Sequence, residues 1–92
     1  MRLSKEEIEI IKKSVLDIDP NALIKLFGSR TDDTKLGGDI DLLLISDKLS
    51  FHDKLTILVN MKKYLGERKI DIIIFNKTDL FHNYINQDAV SL

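Results

Sequence analysis

A chain of 92 residues has room for one domain, here taken to be residues 1–92, and too little for a large core. Its 43% hydrophobic and 32% charged residues fit a folded protein better than a disordered one, and the absence of cysteine excludes disulfides, thiolate zinc sites and a cysteine nucleophile. With 14 basic and 15 acidic residues and a net charge of -1, the chain lacks the basic excess of a protein that binds nucleic acid directly through a charged face, although a nucleotide needs only local charge. The N-terminus, MRLSKEEIEII, has no signal-peptide pattern, and no apolar run approaches membrane-spanning length. No membrane association is expected, and the expected location is cytoplasmic. A core this small would gain from a partner chain.

In chain order, Ser4 followed by Glu7 forms a capping-box pattern, and Ile8, Ile11, Val15 and Ile18 recur at helical spacing. An amphipathic helix is expected over about 4–17, ended by Asp19-Pro20-Asn21. Residues 22–27 read as a strand stopped by Gly28. The polar segment 29–38 reads as a loop with at most one helical turn, and residues 39–45 as a second strand whose Leu42-Leu43-Leu44-Ile45 run suits cover on both faces. Ser50 caps a helix to Leu65 with Phe51, Leu55, Leu58, Val59, Met61 and Leu65 as its apolar stripe and Gly66 at its end. Residues 70–75, IDIIIF, read as a third buried strand, 80–86 as a short helix and 89–92 as a tail.

The second and third strands are joined through a helix and are expected to be parallel. The first two are joined by too short a polar loop for a crossover and are expected to be antiparallel. The fold class is α/β (α+β), a mixed three-stranded sheet backed by helices in the order α-β-α-β-α-β-α, in which the second α is the single turn allowed to the loop. This topology brings Gly28-Ser29 beside Asp39 and Asp41, and Asp71 beside the same place. Asp39 and Asp41, two apart on a strand, share one face.

Three clustered carboxylates repel one another, and a divalent cation resolves the repulsion. All-oxygen ligands favour Mg²⁺ or Mn²⁺, which bind through a few carboxylates and substrate phosphates. Gly28 lets the backbone approach phosphates closely, and Ser29 adds a hydroxyl. Alone, Asp39 reads equally well as an ordinary turn cap. His52 and His82 lack metal-ligand spacing and read as surface residues, and Tyr64 and Tyr84 read as packing residues. The last helix, with Leu80, Phe81, Tyr84 and Ile85, carries enough apolar surface for a partner contact or for core docking.

At Gly28-Ser29, Asp39-Ile40-Asp41 and Asp71 the chain resembles the minimal nucleotidyltransferases (MNT) of the DNA polymerase beta superfamily, whose mark is Gly-Ser, a spacer of about ten residues, Asp-x-Asp and a third acid on the next strand. The resemblance spans nearly the whole chain, which ends about where larger members begin a second helical domain. It is to the stand-alone MNT proteins that pair with HEPN RNases as toxin–antitoxin systems. It implies the nucleotidyltransferase fold, Mg²⁺ (or Mn²⁺) held by Asp39, Asp41 and Asp71, and ATP bound at Gly28, Ser29 and Arg30. It also implies AMP transfer to a tyrosine hydroxyl of the HEPN-domain toxin, held in a hetero-oligomer. In this chain Thr31-Asp32-Asp33-Thr34-Lys35 stands where many relatives have a small residue, a basic residue and Gly. Two other readings compete with the enzyme: an antitoxin or nucleotide-binding subunit that occludes its partner without turnover, and transfer to a small molecule with an acceptor domain from another chain.

Overall fold

The computed structural model describes residues 3–28, 40–66 and 68–92. They form α1 (Lys5–Leu16), β1 (Leu23–Leu26), β2 (Ile40–Ile45), α2 (Phe51–Leu65), β3 (Ile70–Ile74), α3 (Leu80–Asp88) and β4 (Val90–Ser91). The sheet order is β3-β2-β1-β4, with β1 antiparallel to β2 and β4 and β2 parallel to β3. The expected mixed sheet is therefore present, with one strand more than the sequence suggests. Residues 89–92, read as a tail, supply β4, and Leu92 N–H donates to Ile24 O at 3.0 Å. A two-residue strand is too short to show an alternation. It exists because α3 delivers the chain to the free edge of β1.

The capping box at Ser4 is formed in both directions: Glu7 N–H donates to Ser4 Oγ at 3.1 Å, and Ser4 N–H donates to the Glu7 carboxylate at 2.8 Å. The same carboxylate pairs with Arg68, which ties the start of α1 to the entry of β3. Partial burial pushes the Glu7 carboxyl up. The Ser4 amide, the Arg68 charge and the Ser4 hydroxyl outweigh it and hold the group below its ordinary value. All four positions of the α1 stripe, Ile8, Ile11, Val15 and Ile18, join the core.

In α2 the stripe differs from the expectation. Ile57 and Met61 are fully buried and Leu58 and Leu65 pack against the core, whereas Phe51, Leu55 and Val59 are exposed. The helix meets the sheet along the Ile57–Met61 line, so residues four apart on the 51–55–59 line turn aside. Gly66 ends the helix at φ +76°, where a residue without Cβ is favoured.

Strand alternation divides the sheet into two faces. Ile24, Leu26, Ile40, Leu42, Leu44, Ile70 and Ile72 lie on the face covered by α1 and α2 and form the core. Each fully buried Leu or Ile there contributes about 1.5–3 kcal/mol. Lys25, Asp41, Leu43, Ile45, Asp71 and Ile73 lie on the other face, as their pairing across the strands requires. α3 starts beyond β3 at one edge and ends at β4 at the other, and Lys25 Nζ donates to its Asn86 Oδ1 at 2.8 Å. α3 therefore crosses this second face, where Leu43 is fully buried as the sequence led us to expect.

Asp79 caps α3, accepting from Phe81 N–H at 2.9 Å and His82 N–H at 3.4 Å. His82, read as a surface residue, is largely covered: its Nδ1 accepts from Asn76 N–H at 2.9 Å and its ring lies 6.3 Å from that of Phe75. Tyr64 and Tyr84, read as packing residues, are both exposed. At the far end of the sheet the Asp19 side chain accepts from Asn21 N–H at 3.0 Å and from the Ser46 hydroxyl, so that one carboxylate joins the turn before β1 to the turn after β2. The Ser46 bond, then the Asn21 amide, hold the Asp19 carboxyl below its ordinary value. No described helix is long and apolar enough to cross a membrane.

Candidate active site

β2 and β3 each begin with an isoleucine that enters the core and an aspartate that faces the other way. Parallel pairing places Ile40 against Ile70 and Asp41 against Asp71. Neighbouring strands lie about 4.8 Å apart, and partners in register share a face. The two carboxylates are therefore side by side at the end of the sheet where both strands start. Asp71 was expected beside Asp41 from topology, and the register places it there. Its environment differs from the expectation of a buried carboxylate: its side chain is 53% exposed, and Lys69 Nζ lies 3.9 Å from Oδ2. Asp41 is half-buried.

Gly28 comes to the same spot from the end of β1. Phe27 N–H donates to Asp41 O at 3.0 Å, which extends the β1–β2 ladder past the strand end. Gly28 then turns at φ +71°, and a Cβ on it would stand 2.7 Å from Asp41 Oδ2. Two independent features thus select glycine here: the left-handed backbone and the carboxylate occupying the space a side chain would fill. The approach is between a glycine backbone and a carboxylate, which leaves no room for a side chain between them.

Asp41 and Asp71 open onto a groove of about 490 Å³ also lined by Phe27, Lys54, Leu58 and Ile70. Lys54 was not singled out in the sequence, although a lysine between Phe51 and Leu58 on the inner side of the α2 stripe was the available signal. Its Nζ lies 5.8 Å from the centre of the Phe51 ring. Lys54 and Lys69 make this rim the cationic border of an acidic site.

Ser29, Arg30 and Asp39, expected to bind triphosphate and metal, lie outside the described residues, as does the 31–38 loop. Among the described residues no group of three His, Cys, Asp or Glu side chains is placed to hold a metal ion. Asp41 and Asp71 form the described pair. Two carboxylates on adjacent strands, facing the same way and with a glycine backbone pressed against one of them, fit a hard cation with oxygen ligands.

A family model described as Polymerase beta, Nucleotidyltransferase matches residues 6–91. No curated protein matches the chain. The matched span runs from the first helix to the last strand and contains Gly28, Asp41 and Asp71.

Proposed function

Because the chain belongs to the polymerase beta nucleotidyltransferase family, we propose that it is an ATP-dependent protein adenylyltransferase, the antitoxin that transfers AMP to a tyrosine hydroxyl of a HEPN-type RNase toxin. The observation that carries the transferase chemistry is the in-register pair Asp41 and Asp71 with Gly28 pressed against Asp41. Asp39, Asp41 and Asp71 are the residues that would hold Mg²⁺ or Mn²⁺, which when bound polarises the phosphoryl oxygens and offsets the developing charge. Gly28, Ser29 and Arg30 would receive the triphosphate. The tyrosine oxygen attacks the α-phosphorus in line, the bond to the β-phosphate bridging oxygen breaks, and pyrophosphate leaves. The phenolic proton passes to solvent or to a carboxylate, a role this reading gives to Asp71.

A protein acceptor is supported by α3. It crosses the same face of the sheet as the carboxylates and presents Leu80, Phe81 and Tyr84 to solvent. Such a surface suits a partner protein. A hetero-oligomer with the toxin is part of the proposal, as is a cytoplasmic location.

The test is to incubate the chain with the product of the neighbouring reading frame, ATP and Mg²⁺, and to weigh both chains by mass spectrometry. AMP-sized additions on the partner that vanish in the Asp39→Ala, Asp41→Ala double variant are expected. Full neutralisation of the toxin by that variant, with no mass change, would show occlusion instead.

A further inference from the structure

The two edges of the sheet are closed unequally. β4 is two residues long, too short to template another strand. β3 is five residues, IDIII, without proline or glycine, and forms the opposite edge. Ile40 N–H donates to Lys69 O at 2.9 Å and Phe75 N–H to Leu44 O at 2.7 Å. Odd-numbered residues of β3 therefore bond inward to β2, and the even-numbered ones point their N–H and C=O outward. At one end of this outer edge Lys62 Nζ donates to Arg68 O at 2.9 Å, and at the other His82 Nδ1 takes Asn76 N–H. Between these caps, among the described residues, none bonds the outward groups of Ile70, Ile72 and Ile74.

α2 adds a second feature on the same flank. Asn60 and Tyr64 line the groove shared with α1. On the opposite flank, at four-residue spacing, Phe51, Leu55 and Val59 form an exposed apolar stripe. Phe51 and Lys54 border the groove that runs along Ile72–Ile74. The stripe therefore stands over the open edge.

We propose that a second copy of this chain occupies this flank, β3 pairing antiparallel with β3 about a two-fold axis at Ile72. The capped ends choose the register. Ile70 faces Ile74 of the second copy, Ile72 faces Ile72, and each opposed pair exchanges both of its hydrogen bonds. A register centred one or two residues later would need the Asn76 N–H that His82 holds. An antiparallel edge pairing is isologous and closes at two chains, which stops an open β edge from templating a fibre. The axis is perpendicular to the sheet, so α2 of each copy lies on the same side and the two stripes meet across it. The helix stripe and the strand edge are both self-complementary under this one operation. The Asp71 side chains fall on a cross-strand diagonal, about 7–8 Å apart between backbones, and Lys69 beside each one offsets their repulsion. Both carboxylate faces, and both α3 surfaces, then look the same way out of a continuous eight-stranded sheet.

The test is the mass of the full chain by light scattering after size exclusion, together with hydrogen exchange. Twice the 10.6 kDa chain mass and slow exchange at the Ile70, Ile72 and Ile74 amides are expected for the wild type. Leu55→Glu with Val59→Glu changes two side chains that are 44% and 58% exposed and so spares the fold. It should give the single-chain mass, and those three amides should exchange faster while those of β2 stay protected. A monomeric wild type at hundred-micromolar concentration overturns the proposal. So does a dimer that survives the double variant, or an edge protected only when another protein is added.

Discussion

Along β2, Ile40, Leu42 and Leu44 enter the core while Asp41, Leu43 and Ile45 face the other way; β3 repeats the alternation with Ile70, Ile72 and Ile74 against Asp71 and Ile73. One face is covered by two helices and holds the molecule together. The other carries the carboxylates where its strands begin and is crossed by α3. A single residue of offset separates the packed core from the candidate site, because the side-chain period of a strand is two. The two sets share a backbone, so the carboxylates are held by the same strands that pack the core.

Substitutions can separate the two faces. The largest effect is expected for Asp41→Asn. If Asp41 acts as proposed, losing several kcal/mol of charge stabilisation at the transferring phosphate should lower nucleotidyl transfer by about a thousandfold, while the melting temperature moves by only a few degrees. A mass-spectrometric time course beside a thermal melt checks both. An unchanged rate would remove Asp41 from the reaction. Its core neighbour Leu42, fully buried, gives the opposite pattern: Leu42→Ala is expected to cost about 2–5 kcal/mol, a large share of the stability of so small a domain. Urea titration should show an early or absent transition, and any activity left in the folded fraction should have wild-type kcat.

Gly28→Ala tests the join between the faces. The left-handed backbone and the Asp41 carboxylate both oppose a methyl group, so about 1–2 kcal/mol of stability is lost. Transfer should fall as well, because Asp41 must move. A stability loss with full activity would show that the close approach serves the turn alone. The smallest effect lies at the far end of the sheet. Asp19 has a folded value below the ordinary one, so its contribution is complete above the unfolded pKa of about 3.9 and fades as the pH falls through the folded value. Asp19→Asn removes that titration, and melting temperatures between about pH 5 and 2 should fall less steeply than in the wild type.

The three described helices and first three strands in their order, the pairing directions of those strands and the meeting of Gly28, Asp41 and Asp71 were all legible in the chain. Helical and strand periods, the Ser4 and Ser50 caps and the connection lengths are local signals, and parallel pairing of two strands that each open Ile-Asp aligns the acids. Other features were not legible. β4 is too short to carry a period. The α2 stripe contains more apolar positions than one sheet can cover, and only the docking angle decides that Ile57 and Met61 are buried while Leu55 and Val59 are left outside. The exposure of Asp71 depends on β3 being an edge strand, a property of sheet order that composition does not carry. By itself, then, the sequence determined which residues alternate and which ends are capped, because those follow from spacing along the backbone. The tertiary structure alone decided which apolar side chains remain uncovered and which edge stays open, because these depend on where the other elements come to rest.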